Sequence, residues 1–182
     1  MATARPVVIV GAGDPAATDR LATHLRSNYV VHTAYDGDAV VDSLDESVDV
    51  VLVHVGLPDL SLHTLYERQI ETDVSVQVGL LTTAAETPTW IDATIDPEID
   101  DEELTRIVDW LATRSTYRKK LDTFYDLASE HANLASTDEP AADPRELERR
   151  LDRLRTEIDD AVADLDDQSL FEVALDDYDT GE

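Results

Sequence analysis

The segment DVVLVHVGLPDL, residues 49–60, ends a β-branched run on His54 and then turns at Gly56, Leu57 and Pro58. In open parallel sheets, ligands and reacting groups collect at strand ends of this kind. An imidazole there has three possible uses. It can cap the strand end by bonding to backbone or to Asp14, it can sense pH or ions by titrating near neutrality, or it can accept a phosphoryl group. The cap needs nothing further, and the residues favour it. The phosphoryl acceptor needs a metal or cation that no nearby residue supplies. His24, His32, His63 and His131 are scattered without metal-ligand spacing, so neither a metal site nor a catalytic residue is expected.

A second pattern is VVIVGAGDPAA, in which Gly11, Gly13 and Ala16 form G-x-G-x-x-A between a strand and a helix. That is a dinucleotide fingerprint in its expected context, with Asp36 available as a ribose-binding acid. Two features oppose it. Asp14 and Pro15 occupy the turn where bare amides should meet a pyrophosphate. The sheet is also only a fragment of the usual six-stranded architecture. No cofactor is expected, and a nucleotide-binding module stays as an alternative.

The elements that must position these residues are legible from patterning. Residues 6–11, 29–34, 48–54, 74–81 and 91–95 read as strands, and 15–27, about 37–46, 60–70 and 101–114 as helices. Val-rich strands alternating with helices predict a doubly wound, flavodoxin-like, five-stranded parallel sheet covered on both faces. Asp14 reads as an N-cap with Pro15 at the first helical position. The stretch TTAAETPT, residues 82–89, is too short for a full crossover helix, so the fourth helix should be shortened or missing.

No Gly or Pro occurs from Asp100 to Ala135, so the last helix of the sheet domain can run on unbroken. STDEPAADP, 136–144, reads as a loop, and Asp143, Pro144 and Glu146 as a helix start. Leu147, Leu151, Leu154 and Ile158 then repeat at alternate spacings of four and three, predicting a coiled-coil seam within a helical hairpin. The expected division is a sheet domain over 1–114, a hairpin over 115–168 and an acidic, frayed tail over 169–182, where Leu170, Phe171, Val173 and Leu175 could dock.

With 41 Asp and Glu against 14 Lys and Arg, the formal net charge is −27. Such self-repulsion is tolerable where salt shortens the Debye length to about 3 Å, near 1 M. A salt-rich cytoplasm is the expected setting. Without cysteine, disulfides and thiolate chemistry are excluded. No signal-peptide layout or long apolar run is present, so neither secretion nor a membrane is expected.

The strand order and DVVLVHVGLPDLS resemble the receiver domain of two-component response regulators. In that family the phospho-accepting aspartate ends the third strand, before a Leu-Pro or Met-Pro turn. Here His54 stands in its place and Leu57-Pro58 matches the turn. Residues 115–135 and 144–165, with Ser115, Tyr117, Leu121, Tyr125, Leu127, Ala132 and Leu134 on its pattern, resemble the HalX domain attached to receivers of salt-loving archaea. The resemblance implies an acid pair after the first strand, where only Asp14 is found. It implies a hydroxyl after the fourth strand, at Thr82, and a lysine before a proline after the fifth, where Asp96-Pro97 stands. Asp14, Thr82 and Asp96 are thus the remaining pocket positions, and aspartyl phosphorylation is not expected.

Arg145, Arg149, Arg150, Arg153 and Arg155 interleave with acids, so direct nucleic-acid binding is not expected. The reading is a non-enzymatic pseudo-receiver acting through protein contacts, with a sensor kinase or another regulator as partner, and with a homodimer through the hairpin seam as one option. The alternative is a phospho-accepting response regulator or transcriptional regulator.

Overall fold

The computed structural model describes residues 5–134 and 144–176. Five parallel strands form one sheet: β1 (Val7–Gly11), β2 (Val30–Thr33), β3 (Val50–His54), β4 (Gln77–Leu81) and β5 (Ala93–Ile95), in the order β2-β1-β3-β4-β5. This is the flavodoxin-like order, whose switch point lies between β1 and β3. Helices α1 (Pro15–Leu25), α2 (Gly37–Asp42), α3 (Leu62–Glu71), α4 (Asp101–Leu134) and α5 (Pro144–Asp176) complete the described elements.

Each strand lies inside its predicted span, and β3, β4 and β5 start later than patterning suggests. Helix α2 is shorter than predicted because Asp45 accepts the Ser47 N–H at 2.8 Å and starts a turn in its place. Helix α5 runs to Asp176, into the stretch read as a frayed tail; the side chains of Leu170, Phe171, Val173 and Leu175, like the predicted loop 136–143 and its cap Asp143, lie outside the described residues.

The chain divides into two compact units, Met1–Ser115 and Thr116–Glu182. In the first, Ile9, Val51, Val53, Val78 and Leu80 pack with Val40 of α2 and Leu65 of α3 on one sheet face. Val8, Val10, Val50, Leu52 and Ile95 pack with Leu25 of α1 and Leu104, Val108 and Leu111 of α4 on the other. Both faces are therefore apolar, which is why the strands read as continuous Val-rich runs.

Between β4 and β5 no helix forms. Residues 82–92 are irregular, and Trp90 and Ile91 pack partly buried on the α3 side of the sheet instead. The Trp90 ring sits 5.2 Å from that of Tyr66 on α3. Trp90 and Ile91 thus pack where a crossover helix would lie.

Two polar groups anchor α4 on the sheet. Ser115, fully buried, shares its one hydroxyl proton between the Ser75 carbonyl at 3.0 Å and Asp49 at 3.3 Å. Tyr29, almost fully buried, donates to the Asp109 carboxylate. Burial first, then that carboxylate, pushes the Tyr29 phenol above the ordinary tyrosine range. The unfolded chain releases this proton near about pH 10 while the folded chain keeps it. The stabilisation is therefore whole below about pH 10 and falls as pH rises beyond it. Tyr29→Phe should flatten the alkaline limb of a stability-against-pH curve; an unchanged limb would remove Tyr29 from the account.

Gln77, at the start of β4, is fully enclosed, and neither its amide nitrogen nor its amide oxygen has a partner among the described residues. An enclosed amide without partners costs about 1–3 kcal/mol. Gln77→Met, which keeps the length and drops the polar atoms, should raise the denaturation midpoint by a corresponding amount. A lowered midpoint would mean that the amide is bonded after all.

In the second unit, Lys120 pairs with Glu157 at 3.4 Å and His131 approaches Glu148 at 3.9 Å, so α5 runs antiparallel to the end of α4. Leu127, Leu147 and Ala161 are buried, whereas Leu151, Leu154 and Ile158 are half-buried.

Candidate functional site: the mouth of the sheet

Helix α1 builds one side of the site. After Gly11 the chain turns through Ala12, Gly13 and Asp14, and Asp14 caps α1 by accepting the Ala17 N–H at 2.9 Å. Thr18, fully buried one turn in, accepts the Ala12 N–H at 2.9 Å and donates to the Asp14 carbonyl at 3.1 Å. Its hydroxyl pins the turn from inside.

The turn after β3 builds the other side. His54 is held by its own turn, where the Gly56 N–H donates to Nδ1 at 2.8 Å and the Leu57 N–H donates to the His54 carbonyl at 3.0 Å. The imidazole lies close over two glycines. A Cβ on Gly13 would stand 3.2 Å from Nδ1, and one on Gly56 3.0 Å from it. A side chain at either position would push the ring back by a few tenths of an ångström.

A backbone amide can only donate, so Nδ1 must be the acceptor and carries no proton. The neutral ring therefore holds its proton on Nε2. An imidazolium, with a proton on each nitrogen, cannot accept the Gly56 bond, so protonation would break the clasp.

A cleft of about 500 Å³ opens here, lined by Gly13, Asp14, Arg20, His54, Glu98 and Asp101 with Leu21, Leu81 and Ile99. Of the expected pocket positions, only Asp14 shares this cleft with His54. Thr82 and Asp96 are not among its lining residues. Thr82 is buried, and its hydroxyl oxygen accepts the Ala84 N–H at 3.1 Å. Asp96 accepts the Glu98 N–H at 2.8 Å. Both short polar side chains close their own turns, as such residues readily do. Among the described residues no group of three or more His, Asp and Glu side chains is arranged to hold a metal ion.

The same geometry bears on the dinucleotide fingerprint. A pyrophosphate would need the bare turn amides at the start of α1, but the imidazole lies on Gly13 and the Asp14 carboxylate occupies the cap. Sequence reading missed the roles of Thr18 and Gly56. A hydroxyl four residues past an N-cap, and a glycine two past a strand-end histidine, were the only signals available.

Comparison with known proteins agrees with this architecture. Residues 113–175 match the model of the HalX domain. The signal receiver domain of an HD domain-containing protein from Pseudomonas fluorescens Pf-5 superposes with a TM-score of 0.55 at 21% identity, covering 65% of this chain and 95% of that one. The CheY-like receiver domain protein of Methanospirillum hungatei JF-1 gives 0.52 at 17%, covering 63% and 98%. The chain joins a receiver fold to a HalX domain. A Haloferax volcanii protein named "Putative transcriptional regulator" is 29% identical over 143 residues, which is 74% of this chain. The chain spans only 24% of that relative's length. The only lysines, Lys119 and Lys120, lie outside the first unit. No helix among the described residues is long and apolar enough to cross a membrane.

Proposed function

We propose that the chain is a signalling module whose receiver fold works without phosphorylation at the sheet mouth, through contacts with protein partners such as a sensor kinase or another regulator. The observation that carries this reading is the 2.8 Å bond from the Gly56 N–H to His54 Nδ1. The ring lone pair that would attack phosphorus is occupied, and Nε2 holds the proton. Phosphoryl transfer also needs charge neutralisation by a metal or cation. Asp14, Glu98 and Asp101 outnumber Arg20 in the cleft, which supports the same conclusion.

A role in regulating transcription is the second reading. It rests on the name of the Haloferax relative, much of whose length lies outside the match. A salt-rich cytoplasm is the setting we infer from the net charge of −27. The hairpin seam supports packing within the chain, since Leu147 is buried by it.

His54→Asp tests the reading. Restoring the carboxylate leaves Gly13 in place of an acid and Asp96 in place of the lysine. The variant should stay unmodified when incubated with acetyl phosphate and Mg²⁺ in molar salt. Ready phosphorylation of the introduced carboxylate would mean that the remaining pocket is competent.

A further inference from the structure

We infer that the apolar strip of Tyr66 and Ile70 on α3, beside Trp90, docks a cationic amphipathic helix of a partner protein. This deepens the docking role proposed above but uses none of the cleft residues, so it can fail while that role stands.

Parallel sheets are covered on both faces by their crossover helices, and here the β4–β5 crossover supplies only Trp90 and Ile91. Beside them Tyr66 is 39% exposed and Ile70, one helical turn further along α3, is 61% exposed. Tyr66, Ile70 and the half-buried Trp90 present aromatic and branched apolar surface on a chain with 41 Asp and Glu. Residues four apart on a helix share a face, so Tyr66 and Ile70 form one strip beside the indole.

Charge selects the occupant. The flank of α3 beyond Ile70 carries His63, Glu67 and Glu71, with Asp73 just after the helix, and residues 82–92 add Glu86. His63 pairs with Glu67 at 3.3 Å. Arg68, the one arginine of α3, lines a different cleft with Leu44, Asp45 and Ser47. An acidic rim around an aromatic strip repels phosphates and nucleic acid and favours Lys or Arg. The first unit already shows how it uses such a pair. The Arg114 guanidinium sits 5.3 Å from the Trp110 ring centroid and 3.8 Å from Asp92. Trp90, tilted against Tyr66 beside this acidic rim, offers the same arrangement to a cation from outside. A helix with one apolar stripe and flanking lysines or arginines would pack on this strip.

The test uses the full chain carrying Trp110→Phe, so that Trp90 alone reports, in molar salt. A synthetic Leu/Lys amphipathic helix should shift Trp90 emission to the blue and saturate. A Leu/Glu helix of the same pattern should bind at least about tenfold more weakly. Ile70→Glu, at an exposed position, should weaken the Leu/Lys helix by about tenfold or more while leaving the melting temperature unchanged. Equal response to both helices, no saturation, or an unaltered response in Ile70→Glu would each overturn the inference. So would concentration-dependent self-association abolished by Ile70→Glu, which would assign the face to a second copy. Should Trp110→Phe not fold, the wild type titrated calorimetrically gives the same comparison.

Discussion

Trp90→Ala should lower the stability of the first unit by about 2–4 kcal/mol, among the largest losses from any single truncation outside the strands. The indole is the main cover over the α3 side of β4 where a crossover helix is absent, and it packs on the cluster containing Val53, Val78 and Leu80. Its removal exposes that cluster and strips Tyr66 of its stacking partner at 5.2 Å. Being half-buried, Trp90 should cost less than a fully enclosed tryptophan, and Trp90→Phe should recover much of the loss. Denaturant unfolding in molar salt, followed by circular dichroism, reads both variants. A loss below about 0.5 kcal/mol would mean that residues 82–92 cover nothing that matters.

Leu147→Arg should have an effect of similar size in the second unit, about 3 kcal/mol or more, and should spare the sheet. Leu147 is only 3% exposed, in the first turn of α5 near the Glu148–His131 contact. A guanidinium forced into that position is cut off from water while still charged. Leu151→Arg, at a half-buried position of the same seam, should cost less because the long side chain can carry its charge to solvent. The expected result is loss of far-ultraviolet helicity in a separate, lower transition while the tryptophan signals of the first unit persist. Unchanged helicity and sedimentation in Leu147→Arg would contradict the packing of α5 on α4.

What was legible in the sequence follows the physics of each element. The central strands β1, β3 and β4 were readable because both of their faces are buried, which favours uninterrupted apolar runs such as VVIV and VVLV. Helix α1 was readable to its first residue because Asp14 and Pro15 are a cap and an N1 proline. The short fourth connection was visible as a length too small for a helix. That Trp90 packs where the helix would lie was not visible, since tertiary contact alone assigns it that place.

The site was half legible. His54 at the strand end and the cap role of Asp14 were readable as types at positions. Thr82 and Asp96 were grouped with them by resemblance, but each bonds within its own turn, and neither lines the cleft. The Gly56 amide on Nδ1 could not be read from the chain because it depends on a backbone direction set by the turn. That one bond supports the first of the three uses of His54, the cap at the strand end.

The central claim is that this sheet mouth takes up no phosphoryl group, and intact-mass spectrometry of the wild type tests it most directly. After incubation with acetyl phosphate and Mg²⁺ in molar salt, the account predicts a single species at the unmodified mass. A stoichiometric phosphoryl adduct mapped to His54 would contradict it.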